Sequence, residues 1–440
     1  MLKRKIQSYI EEHLSHDDRR ILVIDGARQV GKTFIVRHVG QRMFANYIEL
    51  NMEEDAMGQR LFANVSTKDD FYLALSVAAG DKMGRREDTL VFIDEIQRYS
   101  QLLSLLKFLA ADGRFTYIAS GSLLGVTLRL SPSLPMGSID IQHIYPLDFE
   151  EFLWANGVGE SAVDVMRQAF ARCQPMAAAV HTRLMSLFRR YLLTGGMPSA
   201  VEAFVKESNI VKVRNIQKQI YELYKIDASR YENAMGKLKI RRVYDMIPSN
   251  MESRKKRMVA KNIEDIKGKR MDSYRDEFEY LISSGIALEV KAVSKPSYPL
   301  LQSSGKNLMK LYLNDVGLLT AVLYGINIQP VMDDKCSINL GAVYETVVAQ
   351  ELHAHSHEAL YYYDSKKNGE VDYIIDDSNT LSVVPIEVKS GRDYRIHSAI
   401  NNLLAVKEYN IQKAYIVSNA REVTVDGAII YIPAYYVMFL

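Results

Sequence analysis

Ile21-Leu22-Val23-Ile24-Asp25-Gly26-Ala27-Arg28-Gln29-Val30-Gly31-Lys32-Thr33 decides the fold of this chain. An apolar, β-branched run enters a loop that begins and ends in glycine, and a helical pattern opens at Lys32-Thr33. The pattern G-x-x-x-x-G-K-[ST] acquires meaning in this strand–loop–helix context. Gly26 and Gly31 let the backbone turn tightly and approach phosphate oxygens with no Cβ in the way. The loop N–H groups, from Gly26 through Ala27, Arg28, Gln29 and Val30 to Gly31, join the following helix N-terminus in a cavity of positive partial charge. Lys32 is the residue to neutralise the β- and γ-phosphates of ATP, and the Thr33 hydroxyl the one to ligate Mg²⁺.

A second stretch completes the site. Thr89-Leu90-Val91-Phe92-Ile93-Asp94-Glu95-Ile96-Gln97 reads as a buried parallel strand that delivers two carboxylates to its C-terminal edge. Alone, Asp94-Glu95 would be a solvated strand end. Downstream of a phosphate loop, Asp94 is expected to hold Mg²⁺ through water and Glu95 to polarise the attacking water. Between and beyond them the pattern predicts a helix to about Arg42, a strand over 46–51, a helix over 68–79 and a strand over 115–122. The last ends in small hydroxyl residues, so Ser120 or Ser122 is either a sensor of the γ-phosphate or ordinary turn chemistry. Leu102, Leu103, Leu106 and Leu109 repeat at helical spacing and read as core. Residues 139–145 alternate as a fifth strand.

Length and composition bound the rest. A chain of 440 residues exceeds the size of one hydrophobic core and suggests two or three domains. The net charge of +2 predicts no polyanion partner by itself; only local clusters can. The two cysteines, Cys173 and Cys336, form no C-x-x-C pair, which argues against a disulfide framework or zinc knuckle and suits a reducing compartment. Met1-Leu2-Lys3-Arg4-Lys5-Ile6 runs at once into Glu11-Glu12-His13, unlike a signal peptide. No stretch approaches about 18 uninterrupted apolar residues, so no membrane span is expected and the protein is expected in the cytoplasm.

Gly26–Thr33, Asp94-Glu95, Ala119-Ser120-Gly121-Ser122 and Tyr145-Pro146-Leu147-Asp148-Phe149-Glu150-Glu151-Phe152-Leu153 resemble the bacterial and archaeal AAA+-type ATPases that carry a C-terminal nuclease-like domain of unknown function. Gly195-Gly196-Met197-Pro198 resembles that family's helical-domain signature. The resemblance spans essentially the whole chain. One departure concerns the arginine that many relatives carry before the fifth strand. Here that turn reads Pro135-Met136-Gly137-Ser138, and Arg129, the nearest replacement, reads rather as a solvated surface arginine.

Residues 147–231 are helical in pattern and predict a lid beside the nucleotide, with Tyr221, Tyr224 and Tyr231 as core or interface rather than a base-stacking platform. From Lys237 to Arg270 basic residues outnumber acids: Lys237, Lys239, Arg241, Arg242, Arg254, Lys255, Lys256, Arg257, Lys261, Lys267, Lys269 and Arg270. Helices followed by a β-ribbon that ends in Leu311-Tyr312-Leu313-Asn314-Asp315 fit a winged-helix module, which the family also implies. Its basic residues either touch DNA phosphates or form a solvated helix face.

Past Leu340 lies a second constellation. Residues 341–352 read as an amphipathic helix bearing Glu345. Asp372 sits on one arm of a hairpin, while Glu387 and Lys389, two apart, share one face of the other. This resembles the PD-(D/E)xK nuclease fold, in which Glu345, Asp372 and Glu387 would gather Mg²⁺ and Lys389 would orient the attacking water. Such a fold persists as a binding platform after catalysis is lost. His353, His355 and His357 are either a metal cluster or a solvated polar segment, the second being the plainer reading.

The expected architecture is α/β throughout: a P-loop AAA+-like core with a parallel sheet (1–146), a helical lid (147–235), a winged-helix-like segment (236–330) and a restriction-nuclease-like α/β domain (331–440). The expected function is ATP binding and hydrolysis by an enzyme acting on DNA, as a monomer or homo-oligomer, with Mg²⁺-dependent cleavage at the C-terminal site. Two alternatives remain: an ATP-dependent switch whose C-terminal domain binds DNA or protein without cleaving, and a slow ATPase with no nucleic-acid partner.

Overall fold

The computed structural model describes residues 1–16, 18–122, 137–228, 234–253, 256–264, 270–333, 340–355, 357, 359–391 and 394–440. Arg129, Pro135, Met136, Tyr231, Arg254, Lys255, Lys267, Lys269 and Cys336, all weighed above, lie outside them. The chain divides into two units, one built mainly on Lys3–Tyr145 and the other on Pro146–Ile282 and Ile286–Leu440. The expected lid, winged-helix-like segment and C-terminal domain all lie in the second.

In the first unit, β1 (Ile21–Asp25), β2 (Asn46–Asn51), β3 (Thr89–Asp94), β4 (Thr116–Gly121) and β5 (Ile139–His143) form a five-stranded parallel sheet in the order β2-β3-β4-β1-β5. Burial follows position. Every residue of β1 and β3 is buried, whereas edge strands β2 and β5 are largely half-exposed. Continuous apolar runs suit strands that are neighboured on both sides and covered on both faces. The helix Lys32–Met43 starts from Gly31, whose φ of 96° no β-carbon-bearing residue adopts readily. The helix Lys68–Ala79 starts from Thr67 with a reciprocal capping box to Asp70. The repeating leucines of the helix Ser100–Asp112 join Val23, Val91 and Ile93 in one core. The third strand stops at Asp94, the first of the two acids, because Glu95 turns to φ 52° and starts a 3-10 turn.

The second unit opens with helices, among them Phe149–Ala155, Ala178–Thr194, Pro198–Glu207, Ile210–Ala228 and Ala234–Glu252. Gly195-Gly196 breaks this series for steric reasons. A β-carbon on Gly196 would lie 2.0 Å from the Leu147 carbonyl oxygen, and one on Gly195, at φ 66°, would lie 2.1 Å from Asp315 Oδ1. Asp315 is buried, accepts from Gly196 N at 2.5 Å and from Leu318 N at 3.0 Å, and so caps the helix Val316–Tyr324 while holding the glycine turn.

The remainder is a mixed eight-stranded sheet of β6 (Ala287–Val293), β7 (Ser304–Leu313), β8 (Leu360–Ser365), β9 (Gly369–Asp377), β10 (Ser382–Val388), β11 (Ala414–Ser418), β12 (Thr424–Asp426) and β13 (Ile429–Pro433). Its order is β12-β13-β11-β10-β9-β8-β6-β7. Two expectations change here. The β6–β7 ribbon, read from the sequence as part of a separate winged segment, pairs through β6 with β8 (Val290 opposite Leu360) and forms the edge of the C-terminal sheet. The helix Gly341–Ala354 is not amphipathic: Ala342 through Leu352 are all buried, Glu345, Thr346, Gln350 and Glu351 included. Its polar side chains find partners inside. Gln350 accepts from Val316 N at 2.9 Å and donates to the Tyr191 hydroxyl at 2.8 Å; Glu351 accepts from Phe149 N at 2.9 Å and Tyr191 at 3.0 Å. Polar residues at helical spacing thus mark a buried network, not a wet face.

Candidate functional site

At the C-terminal edge of the parallel sheet, β4 lies between the strand that feeds the phosphate loop and the strand that ends in the acids. Ser120 therefore sits between them, and the side chains converge. Thr33 Oγ1 donates to Asp94 Oδ2 at 2.8 Å, and Ser120 Oγ donates to Asp94 Oδ1. Ser122 Oγ donates to Glu95 Oε1 at 2.8 Å, and Gln97 holds the other Glu95 oxygen. Ser120 and Ser122 thus each bond to one of the two acids.

The loop itself is held from within. Lys32, 5% exposed, donates to the carbonyl oxygens of Gly26 and Ala27, both at 2.9 Å. Gly26 (φ 154°) passes so near β5 that a β-carbon would meet the Ile144 carbonyl at 2.3 Å, so the first glycine is required by packing as well as by ligand approach. Gln29 (φ 66°) and Glu95 (φ 52°) are left-handed without being glycine, a conformation that clusters at functional sites. Arg4, buried at the head of the helix Lys5–Ser15, donates to the Val30 carbonyl at 2.9 Å and the Tyr145 carbonyl at 2.7 Å, tying the loop to the end of β5. The sequence reading missed Arg4 because its basic cluster speaks first of targeting; nothing local links it to Val30.

Burial pushes the Lys32 ammonium's pKa down, against Glu95, Asp25 and Asp94, which favour its charge. Burial pushes Asp94 up, opposed by the Ser120 and Thr33 hydroxyls and by Lys32. The donor set fits a small hard cation beside phosphates: one hydroxyl and one carboxylate oxygen in contact, with an ammonium in the same loop.

The second unit brings Glu345, Asp372, Glu387 and Lys389 into one electrostatic neighbourhood, with company not foreseen. Glu345 Oε1 is bonded to Lys256, and Oε2 accepts from the Tyr312 hydroxyl at 3.0 Å with Lys310 Nζ at 3.9 Å. Lys310, 1% exposed, pairs with Glu370 at 2.8 Å. Arg257 pairs with Glu370 at 2.6 Å and Asp364 at 2.7 Å. Asp372 Oδ2 accepts from Val388 N at 2.8 Å, and Lys389 donates to Glu387 Oε1 at 2.8 Å. Burial, then Glu345 and Glu387, hold the Asp372 pKa well above the carboxylate range; Lys310 and Lys256 pull against them. Burial likewise raises Glu387, opposed by Lys389. Burial works against the Lys310 ammonium, but Glu345, Asp372 and Glu370 outweigh it and raise its pKa. Among the described residues no group of three or more His, Cys, Asp or Glu side chains is placed to hold a metal ion. Lys256 and Arg257, counted in the basic run, point at these carboxylates, and Lys239 and Arg242 lie 3.7 Å from Glu277 and Glu264. A lone lysine in the apolar alternation Met309-Lys310-Leu311-Tyr312-Leu313 was the readable sign of Lys310.

His355 and His357 are half-buried: His355 faces Asp148 at 3.3 Å, and burial lowers the His357 pKa. Tyr221 and Tyr224 are buried, as a core reading requires. No helix among the described residues is long and apolar enough to cross a membrane.

Three family models match the chain. Residues 18–153 match an AAA domain, AAA_14; residues 185–329 match a domain of unknown function, DUF8612; residues 340–437 match another, DUF4143. The parallel sheet and the AAA match identify the N-terminal part as an AAA-type P-loop ATPase fold, which supports ATP binding and hydrolysis. No curated protein matches. Among solved structures, a Walker-type ATPase of Pyrococcus abyssi is 14% identical over 73% of this chain and 96% of its own, with a TM-score of 0.43. Cdc6p from Pyrobaculum aerophilum is 14% identical over 76% of this chain and 95% of its own, at 0.27. The Thermotoga maritima RuvB Holliday junction branch migration motor is 13% identical over 65% and 89%, at 0.31. Scores this low establish no activity for this chain.

Proposed function

We propose that the chain is an ATPase in which Gly26–Thr33 bind the triphosphate, Thr33 and Asp94 hold Mg²⁺, and Glu95 is the general base. One observation carries the reading: Thr33 and Asp94 meet at 2.8 Å across a strand that supplies Ser120 to the same carboxylate. Lys32 exchanges its bonds to the Gly26 and Ala27 carbonyls for phosphate oxygens, which compensates a buried ammonium with full negative charge. Ser122 and Gln97 hold Glu95 by both oxygens, so one of these bonds yields when water enters. Glu95 then takes the proton of the water whose oxygen bonds to the γ-phosphorus, while the bond from that phosphorus to the β–γ bridging oxygen breaks. The bound Mg²⁺ supplies positive charge beside the β- and γ-phosphates.

In this reading 147–235 is the lid, and the energy of turnover changes how 236–440 hold DNA. Arg241, Arg242, Lys261 and Arg270 remain exposed and suit phosphate contacts that position without reading sequence. The C-terminal domain holds rather than cuts, a choice favoured by the lysine, tyrosine or amide partner that Glu345, Asp372 and Glu387 each already possess.

ATP titration and turnover test the site. Lys32→Ala is expected to lose nucleotide binding with the fold intact, and Glu95→Gln to bind ATP while turnover falls by about 10²–10⁴. Full turnover by either variant sinks the assignment. DNA that stimulates wild-type ATPase in proportion to phosphate contact should do so less as salt rises.

A further inference from the structure

Each of the three carboxylates in the C-terminal cluster already takes at least one donor from this chain. Both oxygens of Glu345 are bonded, one by Lys256 and the other by the Tyr312 hydroxyl, with Lys310 3.9 Å from the second. Asp372 accepts the Val388 amide at 2.8 Å, and Lys389 takes one oxygen of Glu387 at 2.8 Å. Glu387 Oε2 is a buried oxygen without a hydrogen-bond partner among the described residues. Among the described residues no three of these side chains are placed as a metal-ligand set, and an ion entering there would compete with two ammonium groups for the same carboxylates.

Lys256 and Lys310 come from places far apart in the sequence, the segment after the helix Ala234–Glu252 and the strand β7. Both reach the same glutamate. Lys310 is 1% exposed and anchored a second time on Glu370 at 2.8 Å. A buried lysine without anionic partners would not stay charged, so its placement among carboxylates is its compensation.

We infer that two lysine ammonium groups, Lys256 and Lys310, take the place of a divalent cation in this cluster, so that the C-terminal domain binds no metal and its nuclease-like layout is a fixed ionic core. Two single charges balance what one divalent ion would, and they need no loading. The inference rests on the holding reading of this domain and is independent of the nucleotide site.

Terbium(III) is the probe, in the full chain without nucleotide, because Tyr312 and Tyr373 both contact Glu345 and would sensitise an ion bound there. The wild type is expected to give no more saturable tyrosine-sensitised emission than Asp372→Asn up to about 1 mM terbium, the weak end of oxygen-donor sites. Manganese(II) is expected to move its thermal unfolding no more than it moves that of Asp372→Asn. The double variant Lys256→Met/Lys310→Met, folded by circular dichroism, should gain at least tenfold in emission, and adding Asp372→Asn should remove the gain. Saturable wild-type emission abolished by Asp372→Asn overturns the inference, and so does a folded double variant that stays dark. Should the double variant not fold, the wild-type measurements and Lys256→Gln, whose lysine is the more exposed of the two, decide alone. None of these outcomes bears on Lys32→Ala, which tests the ATPase.

Discussion

Arg4 does for the phosphate loop what no residue inside the loop can do: it holds a carbonyl from behind. Its guanidinium spans Val30 and Tyr145, two backbone oxygens that are 115 positions apart in sequence but adjacent where the loop passes the end of β5. Removing it leaves both acceptors short of a charged donor. Arg4→Met is expected to destabilise the N-terminal unit by about 2–3 kcal/mol and to weaken ATP binding, with Arg4→Lys recovering part of each. Denaturant unfolding and ATP titration check the two effects separately. The contrast with Lys32 is instructive. Lys32 was legible as part of a pattern of eight consecutive residues, whereas Arg4 acts across a long sequence separation and leaves no local pattern. Ser120 falls between: its strand end was readable, but its contact with Asp94 required knowing that β4 is inserted between β1 and β3.

At the scale of elements, the turn Gly195-Gly196 and the helix Val316–Tyr324 share one buried carboxyl. Burial raises the Asp315 pKa to about 6, although amides from Gly196, Leu318 and Gly317 favour its ionised form. The unfolded chain releases this proton near pH 4 and the folded one near pH 6. Between those values the folded state binds more protons, so stability from this group is fully present below about pH 4 and is lost as pH rises through about 6. The predicted result is a fall in the denaturant midpoint of this unit across that window, which Asp315→Asn flattens while lowering stability at every pH, because one oxygen is left to accept the two amides of Gly196 and Leu318. The elements themselves were largely legible where burial is simple. The apolar runs of β1 and β3, and the leucine spacing of Ser100–Asp112, emerged as read. The helix Gly341–Ala354 did not, because polar residues at helical spacing look the same whether they face water or a buried network; the Glu345 and Glu351 partners lie on other elements.

At the scale of the whole molecule, composition pointed to several domains, and the chain resolves into two units. The hardest feature to foresee was which strands share a sheet. The β6–β7 ribbon precedes β8 by nearly 50 residues, and periodicity carries no information about strand partners at that distance. The ribbon and the C-terminal strands nonetheless form one ladder through Val290 and Leu360. A chain dissected at residue 330 therefore would not yield an autonomous module. The piece 331–440 would present β8 with its amides and carbonyls facing solvent along the seam once shared with β6, an invitation to intermolecular pairing. It would also lack Lys256 and Lys310, leaving Glu345 buried without its counter-charges. Size-exclusion chromatography of two gene fragments is the check: 331–440 should precipitate or elute as large aggregates, and 146–440 as a discrete species. The seam thus sets the smallest heritable piece of this half, since recombination that swaps the tail without its upstream ribbon would deliver an unzipped edge to its new host.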